Sequence, residues 1–556
     1  MTDKICSVDK ISLNERFLLV VVSLLCIAIL GRYQISNGFS VLFGDRYDVV
    51  IEATILEHWY QVFRGMASWS EVNYFYPYTR TIAQTDAYFL LGIAYLPFRV
   101  FGLDPFLSTE FAGFLTKLVG FLGVYFFSWR VFDLSSRGAL LAAALFTLSN
   151  GMTSHSQRLQ LSTVAFAPIL GLFLWQAFKA LYDGVVTKFR VWGLCSGVFF
   201  GAWCLTCFYM AWFFIFFLTA FFVSLLLVSQ REELSVWWSR LKSYYGSVLL
   251  VLLSSVFSLI PFVYAYLPKS REVGVRTYET VASNTIPIEG ILQVGRGNYL
   301  FGNLYNKFLT LASPTYSPSG EYYNTGFSFA LFFVFASACI HFIRKIWSSD
   351  TRKPFHALII ATLFTWGMTL NIGGHTAWYW VYHFFPGAKA LNVVAAYQLF
   401  LALPVTIIAV KYLAEQRSSQ IMFIFIALFL VVGELNTPYM NFNRKLEVER
   451  ITLKGQPPAS CKSFYVSGWN SQEEYSGFPE WINAYYAHNV SAMLISQLVH
   501  VPTINGIASF NQPDWNFGFP NLPDYNNRVL DYARKHKITN LCCLDLNSKQ
   551  WSIVKP

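Results

Sequence analysis

The sequence predicts an all-α polytopic transmembrane bundle of about eleven crossings, ending in a small α/β domain that faces water. Three observations predict it. Of the 556 residues, 55% are hydrophobic and only 13% charged, where a soluble domain carries roughly a quarter charged residues. Aromatics reach 18% and cluster at the ends of apolar runs, where rings anchor at the headgroup level. After Glu434 the chain turns polar and mixed, so residues 436–556 form a separate soluble domain after a membrane module over 1–435.

The apolar runs lie near 17–35, 110–128, 137–150, 160–180, 190–206, 208–228, 247–267, 325–343, 355–371, 392–411 and 419–434. Each is read as one crossing of up to about twenty residues. The first follows Lys4, Lys10 and Arg16 and resembles the core of a signal peptide. No small-x-small cleavage site follows it, so it reads as an uncleaved helix with a cytoplasmic N-terminus. The connectors Arg130–Arg137, Lys179–Arg190, Arg231–Lys242, Arg344–Lys353 and Lys411–Arg417 then fall on one side, as the positive-inside bias requires. Ala87 to Val100 is short, contains Pro97 and Arg99, and reads as an interfacial helix on the outer face. The net charge of +10 resides in these connectors, which excludes a nucleic-acid partner and leaves the lipid bilayer.

Three segments then share the outer side: a loop from Asn37 to Leu107, a loop from Pro268 to Asn324, and the tail. In the tail, Ser463–Val466, Pro502–Ile504 and Thr539–Leu546 read as strands, with helices over Glu480–His500 and Pro523–Lys537 between them. Cys204-Leu-Thr-Cys207 has a CxxC spacing but no companion ligands, so it reads as buried apolar sulfur. Cys461, Cys542 and Cys543 lie in the outer tail, where a bridge from Cys461 to one of the paired cysteines is expected.

Chemistry is sought on the outer face. The first loop holds Asp45, Asp48, Glu52 and His58, with Asp86 near its end. Val49 to Phe63 has apolar residues at helical spacing, which suits a second interfacial helix. A carboxylate partly shielded from water there suits a general base or a metal ligand. Equally, Asp45 and Asp48 suit a turn and a helix cap. A short turn holds His155 and Arg158, suited to proton transfer, metal ligation or phosphate pairing, or simply to closing helix ends. Asp45 and His155 are the candidates for a divalent metal ion, the one cofactor the residues leave room for. Arg296 and Glu321 in the long loop, and His383 and Lys389 in a later turn, lie among aromatics suited to sugars or a prenyl chain. Lys117, seven residues after Glu110, is an intramembrane charge and so a functional candidate.

The arrangement resembles the multi-spanning glycosyltransferases of the C-type fold: a first helix, an outer loop with Gly44-Asp45 and two interfacial helices, many spans, and an outer tail. More closely, the segments FYPYTRTIAQTDA, HSQRLQ, FPGAKALNVVAAYQ and VPTINGIASFNQPDW are similar to those of bacterial YfhO-like membrane proteins. The resemblance implies that Asp45, with Asp86 as second candidate, deprotonates an acceptor, and that His155 and Gln157 line the donor or acceptor side. It implies a polyprenyl-phosphate sugar donor, inverting transfer on the periplasmic face of a bacterial inner membrane, and a glycan, lipid or protein acceptor of the cell envelope. Where relatives often carry an Arg after Pro-Gly, this chain has Asn392, which leaves Lys389 as the nearest cation. A transporter or flippase of lipid-linked glycans would call for internal repeats and interrupted spans in matching halves, which the sequence does not show. A non-catalytic assembly factor would rest on the tail alone.

Overall fold

The computed structural model describes residues 12–314, 316, 324–344, 353–416, 419–468, 479–509 and 511–554. Helices dominate. Leu13–Leu30, Pro105–Val131, Leu161–Tyr182, Phe208–Val228 and Val394–Glu415 are each long and apolar enough to cross a membrane. Arg231–Ser243 and Tyr245–Ser258 qualify only together, and they are bent by 80°. Among the described residues, helices long and apolar enough to cross therefore number five, or six with the bent pair, against the eleven crossings expected.

The difference has a geometric cause. A run of apolar residues does not say where its helix starts or bends. Ser136–Thr147, Phe329–Ile343 and Gln420–Glu434 have 12, 15 and 15 residues, and at 1.5 Å per residue they fall short of a hydrocarbon core of roughly 30 Å. The run 247–267 divides at Leu259 into Tyr245–Ser258 and Ile260–Val273, because Pro261 sits in the first turn of the second helix and cannot continue the first. Phe89–Val100 is likewise a short helix of 12 residues, and it packs on Pro105–Val131.

At the centre stands Val394–Glu415, of which 94% of the apolar window is buried. It is hydrophobic all round, as a helix enclosed on every side must be. Gly193, Gly197 and Gly201 form a stripe of small residues on Val186–Cys204. Added Cβ atoms there would come within 2.6 Å of Val251, 2.5 Å of Ser255 and 2.3 Å of Ser258, all on or next to Tyr245–Ser258. Close backbone approach of this kind is how helices associate without a hydrophobic drive between them.

The tail builds a three-stranded sheet in the order Ser463–Ser467, Leu541–Asp545, Gln550–Val554, the first pair parallel and the second antiparallel. The expected strand at Pro502–Ile504 is a bridge of Thr503 to Phe464, and Gln550–Val554 is an addition to the expected strands. The sheet does not stop at the tail. Phe75 N–H donates to Asn505 O at 3.1 Å, Tyr76 N–H to Thr503 O at 3.0 Å and Thr503 N–H to Asn73 O at 3.1 Å. First-loop backbone thus satisfies the edge of the tail. Cys461 is disulfide-bonded to Cys542, while Cys543 is a buried free thiol.

Candidate functional site

The first loop enters the site at Gly44, whose φ of +81° suits glycine. Its N–H donates to Tyr439 O and its carbonyl accepts from Asn441 N–H, both at 2.8 Å. A Cβ on Gly44 would lie 2.8 Å from the Cβ of Gln157, so two loops far apart in sequence meet here. Asp45 follows as the N-cap of the helix Arg46–Phe63. One carboxylate oxygen accepts from Tyr47 N–H at 2.8 Å and Asp48 N–H at 3.3 Å. The capping alternative is therefore realised for Asp45, and its second oxygen is left for other partners.

Asp48, one turn into the helix, faces Arg158 at 3.9 Å. Asp48 keeps 47% of its side chain accessible and Arg158 keeps 30%; with Tyr439, 39% exposed, they form the accessible rim of the site. Burial, reinforced by the charge of Asp48, pushes the Asp45 carboxyl up to about 6, against its two backbone hydrogen bonds and Arg158. Crowding by protein pushes Asp48 up as well, against the pull of Arg158, even though its surface remains half accessible. Glu52, one turn further along, is fully enclosed. Burial, with the charge of Asp48 adding to it, raises its carboxyl well above the usual range, and it accepts from Leu159 N–H at 2.8 Å. Two acidic side chains of the helix, Asp48 and Glu52, are therefore spent on one turn of chain, His155–Leu159.

His155 is 8% exposed and neither ring nitrogen has a hydrogen-bond partner. Burial, with the positive Arg158 adding to it, pushes its imidazole down to about 3, so it is neutral and holds one donor and one acceptor in reserve. The Gln157 side-chain oxygen is also buried and unpartnered. Unsatisfied buried polar atoms are costly and call for an explanation. Behind them, Lys117 Nζ donates to Ser156 Oγ at 3.0 Å and lies 5.2 Å from the Phe43 ring centroid. Glu110 accepts from Gln34 at 2.7 Å, so among the described residues Glu110 and Lys117 form no direct ion pair.

The other expected site residues go elsewhere. Asp86 accepts from Phe208 N–H at 3.3 Å and from Cys207 Sγ at 3.8 Å, which places it at the start of the span Phe208–Val228. Burial pushes its carboxyl up to about 6. His58 is buried against Trp69 O at 3.2 Å, and burial lowers its imidazole to about 4. Arg296, His383 and Lys389 are exposed; His383 lies 4.4 Å from the Tyr379 ring and Lys389 5.6 Å from Tyr382. None of these contacts touches the Asp45–Arg158 group. Glu321 lies outside the described residues.

Sequence reasoning missed Tyr439 and Asn441, which reach Gly44 from the start of the tail, and Glu434, which anchors the His155 turn. Buried Glu434 accepts from Asn150 N–H and Ser328 N–H, both at 2.9 Å. An acidic residue at the end of the last apolar run was a visible signal; the tail partners had none. Among the described residues no three His, Cys, Asp or Glu gather as a metal site, and Asp45 already commits one oxygen to backbone.

No family model matches the chain, and no curated protein does. Among solved structures it is similar to the crystal structure of the Archaeoglobus fulgidus oligosaccharyltransferase in the apo form, at 14% identity and a TM-score of 0.46, covering 96% of this chain and 70% of that one. It is similar too to the same protein tethered with an acceptor peptide, at 14% identity and a TM-score of 0.47 over 95% and 69% of the two chains. A third is the complex of that protein with zinc and sulfate, at 15% identity and a TM-score of 0.47 over 94% and 67%.

Proposed function

We propose that the Asp45–Asp48–Arg158 group is the active site of a membrane glycosyltransferase. It moves a sugar from a polyprenyl-phosphate donor to a hydroxyl of a cell-envelope glycan, lipid or protein. The observation that carries this reading is an accessible carboxylate, Asp48, 3.9 Å from a guanidinium, with a second carboxylate and an unpartnered neutral imidazole beside it. In this reading the site and the tail lie on the periplasmic side of a bacterial inner membrane, with the N-terminus in the cytoplasm. The Cys461–Cys542 disulfide supports that placement of the tail.

Asp48 accepts the proton of the acceptor hydroxyl as its oxygen attacks the anomeric carbon. The bond from that carbon to the lipid phosphate oxygen breaks on the opposite face, its electron pair leaving with the phosphate, and the configuration inverts. Arg158 takes the growing charge on the phosphate, a task its fork of donors suits. Burial shifts Asp48 upward against the pull of Arg158, so that it is a stronger base than an isolated aspartate. His155 supplies a hydrogen bond to a sugar hydroxyl.

The test compares Asp45→Asn, Asp48→Asn and Asp86→Asn in a deletion host, at equal expression and melting temperature. Loss of the envelope sugar with Asp48→Asn, and its retention with Asp86→Asn, is the expected result. Full restoration by both Asp45→Asn and Asp48→Asn would remove the transferase reading, and a flippase or an assembly factor would take its place.

A further inference from the structure

Away from this site, the bundle encloses a cavity of about 630 Å³ between the helices Pro105–Val131, Ala167–Tyr182, Val186–Cys204, Phe208–Val228 and Tyr397–Glu415. Ser196, Thr219 and Ser255 are the hydroxyls in an otherwise apolar lining, and no residue of the Asp45–Arg158 group contributes to it. The cavity opens sideways. Thr219 and Phe222 on one side of its mouth and Leu252 on the other are exposed. They belong to Phe208–Val228 and Tyr245–Ser258, which both pack on Val186–Cys204.

The chain between these two helices is Arg231–Ser243. Bent by 80° from its successor, it runs across the end of the window. It is held there by Trp237, 3.7 Å from the Phe178 ring, and by Arg240, whose Nη1 would lie 3.0 Å from a Cβ on Gly184. Lys188 starts the neighbouring helix Val186–Cys204. Among the described residues Lys188, Arg231, Arg240 and Lys242 enter no ion pair, while the nearby Glu233 is engaged by Lys353 at 2.7 Å. An apolar slot with a lateral mouth thus ends beside Arg240, in the last turn of a helix that also carries Lys242 there.

We propose that this slot holds one acyl chain of an anionic phospholipid, with its phosphate at Arg240 and the neighbouring cations. The volume falls within the roughly 300–1,000 Å³ of small-ligand sites. The lateral mouth admits a chain from the bilayer, and basic residues at a membrane surface select anionic headgroups. The occupant is structural lipid, separate from the donor of the proposed reaction.

The test is native mass spectrometry of the full chain in mild detergent with phosphatidylglycerol and phosphatidylcholine supplied equally. Wild type should retain phosphatidylglycerol over phosphatidylcholine by at least about tenfold. Thr219→Trp, which fills the mouth from one side, should lose the bound lipid, and Leu252→Trp does the same from the other side should the first fail to fold. Arg240→Gln with Lys242→Gln should keep a lipid but lose the headgroup preference. Retention in proportion to supply, or unchanged retention in a folded tryptophan variant, overturns the proposal. So does displacement by an equimolar polyprenyl phosphate, which would give the slot to the donor's tail.

Discussion

Asp45 does two jobs that a single substitution separates. As an N-cap it satisfies two backbone N–H groups, and asparagine caps a helix about as well as aspartate. As a buried acid raised to about 6 from 3.8, it favours the folded state when protonated. That contribution is complete below about pH 4 and is lost as pH rises to about 6, leaving a cost on the order of 3 kcal/mol at neutral pH. Asp45→Asn should therefore melt above wild type at pH 8, with the gap closing toward pH 4, while transfer falls. A variant that melts lower at pH 8 would contradict this account of Asp45. Asp48 should set the activity profile, with turnover rising as its carboxyl, raised by burial above the usual aspartate range, deprotonates. Residue types and spacing showed the acids and the His155 turn; they did not show that Asp48 meets Arg158, because that contact depends on how two loops fold against each other.

The helix Arg46–Phe63 is where the parts are joined. Arg46 is 2% exposed and donates to Glu447 at 2.9 Å, to Ala487 O at 2.8 Å and to Ser491. Tyr47 OH donates to Asn483. Further along, Glu57 pairs with Arg99 at 2.7 Å and accepts from Tyr95 OH at 2.6 Å. One helix therefore grips the tail at its start, presents Asp48 and Glu52 in its first two turns, and holds Phe89–Val100 at its end. Arg46→Met leaves buried acceptors behind, and should lower stability by about 3 kcal/mol, the usual cost of breaking a buried pair from one side. Chemical denaturation of the detergent-solubilised protein reads this directly; a loss under about 0.5 kcal/mol, typical of a surface change, would mean the contact is incidental. Periodicity located this helix from Val49 to Phe63, and it sits within the observed one. What periodicity could not supply was depth. The helix reads as interfacial from its apolar spacing, yet Arg46, Glu52, Glu57 and His58 are all buried, because the tail covers Arg46, the His155 turn meets Glu52, and Phe89–Val100 and Trp69 meet Glu57 and His58.

Across the whole molecule the tail is part of the site's foundation. The segments around FYPYTRTIAQTDA and VPTINGIASFNQPDW, each visible in the sequence as a motif, turn out to be partners. Backbone at Asn73–Tyr76 pairs with Thr503 and Asn505, Phe75 packs 5.4 Å from the Trp515 ring, and Tyr78 OH donates to Asp514. Lys535 and His536, both 2.8 Å from Asp514, hold that carboxylate low despite partial burial, which would raise it. Asp514 should thus stay ionised at neutral pH and well into the mildly acidic range. The disulfide closes a loop across 81 residues of the tail, and in the chain-entropy view a loop of that size contributes about 4 kcal/mol. Cys461→Ser should therefore loosen the tail first. Because the tail's edge pairs with the first loop, loosening should spread to residues 73–87, raising their amide exchange and lowering transfer, while the exchange of Val394–Glu415 in the bundle centre stays unchanged. If exchange rose in the tail alone and transfer were intact, the two segments would be neighbours without being coupled, and the tail could be removed without cost to the site.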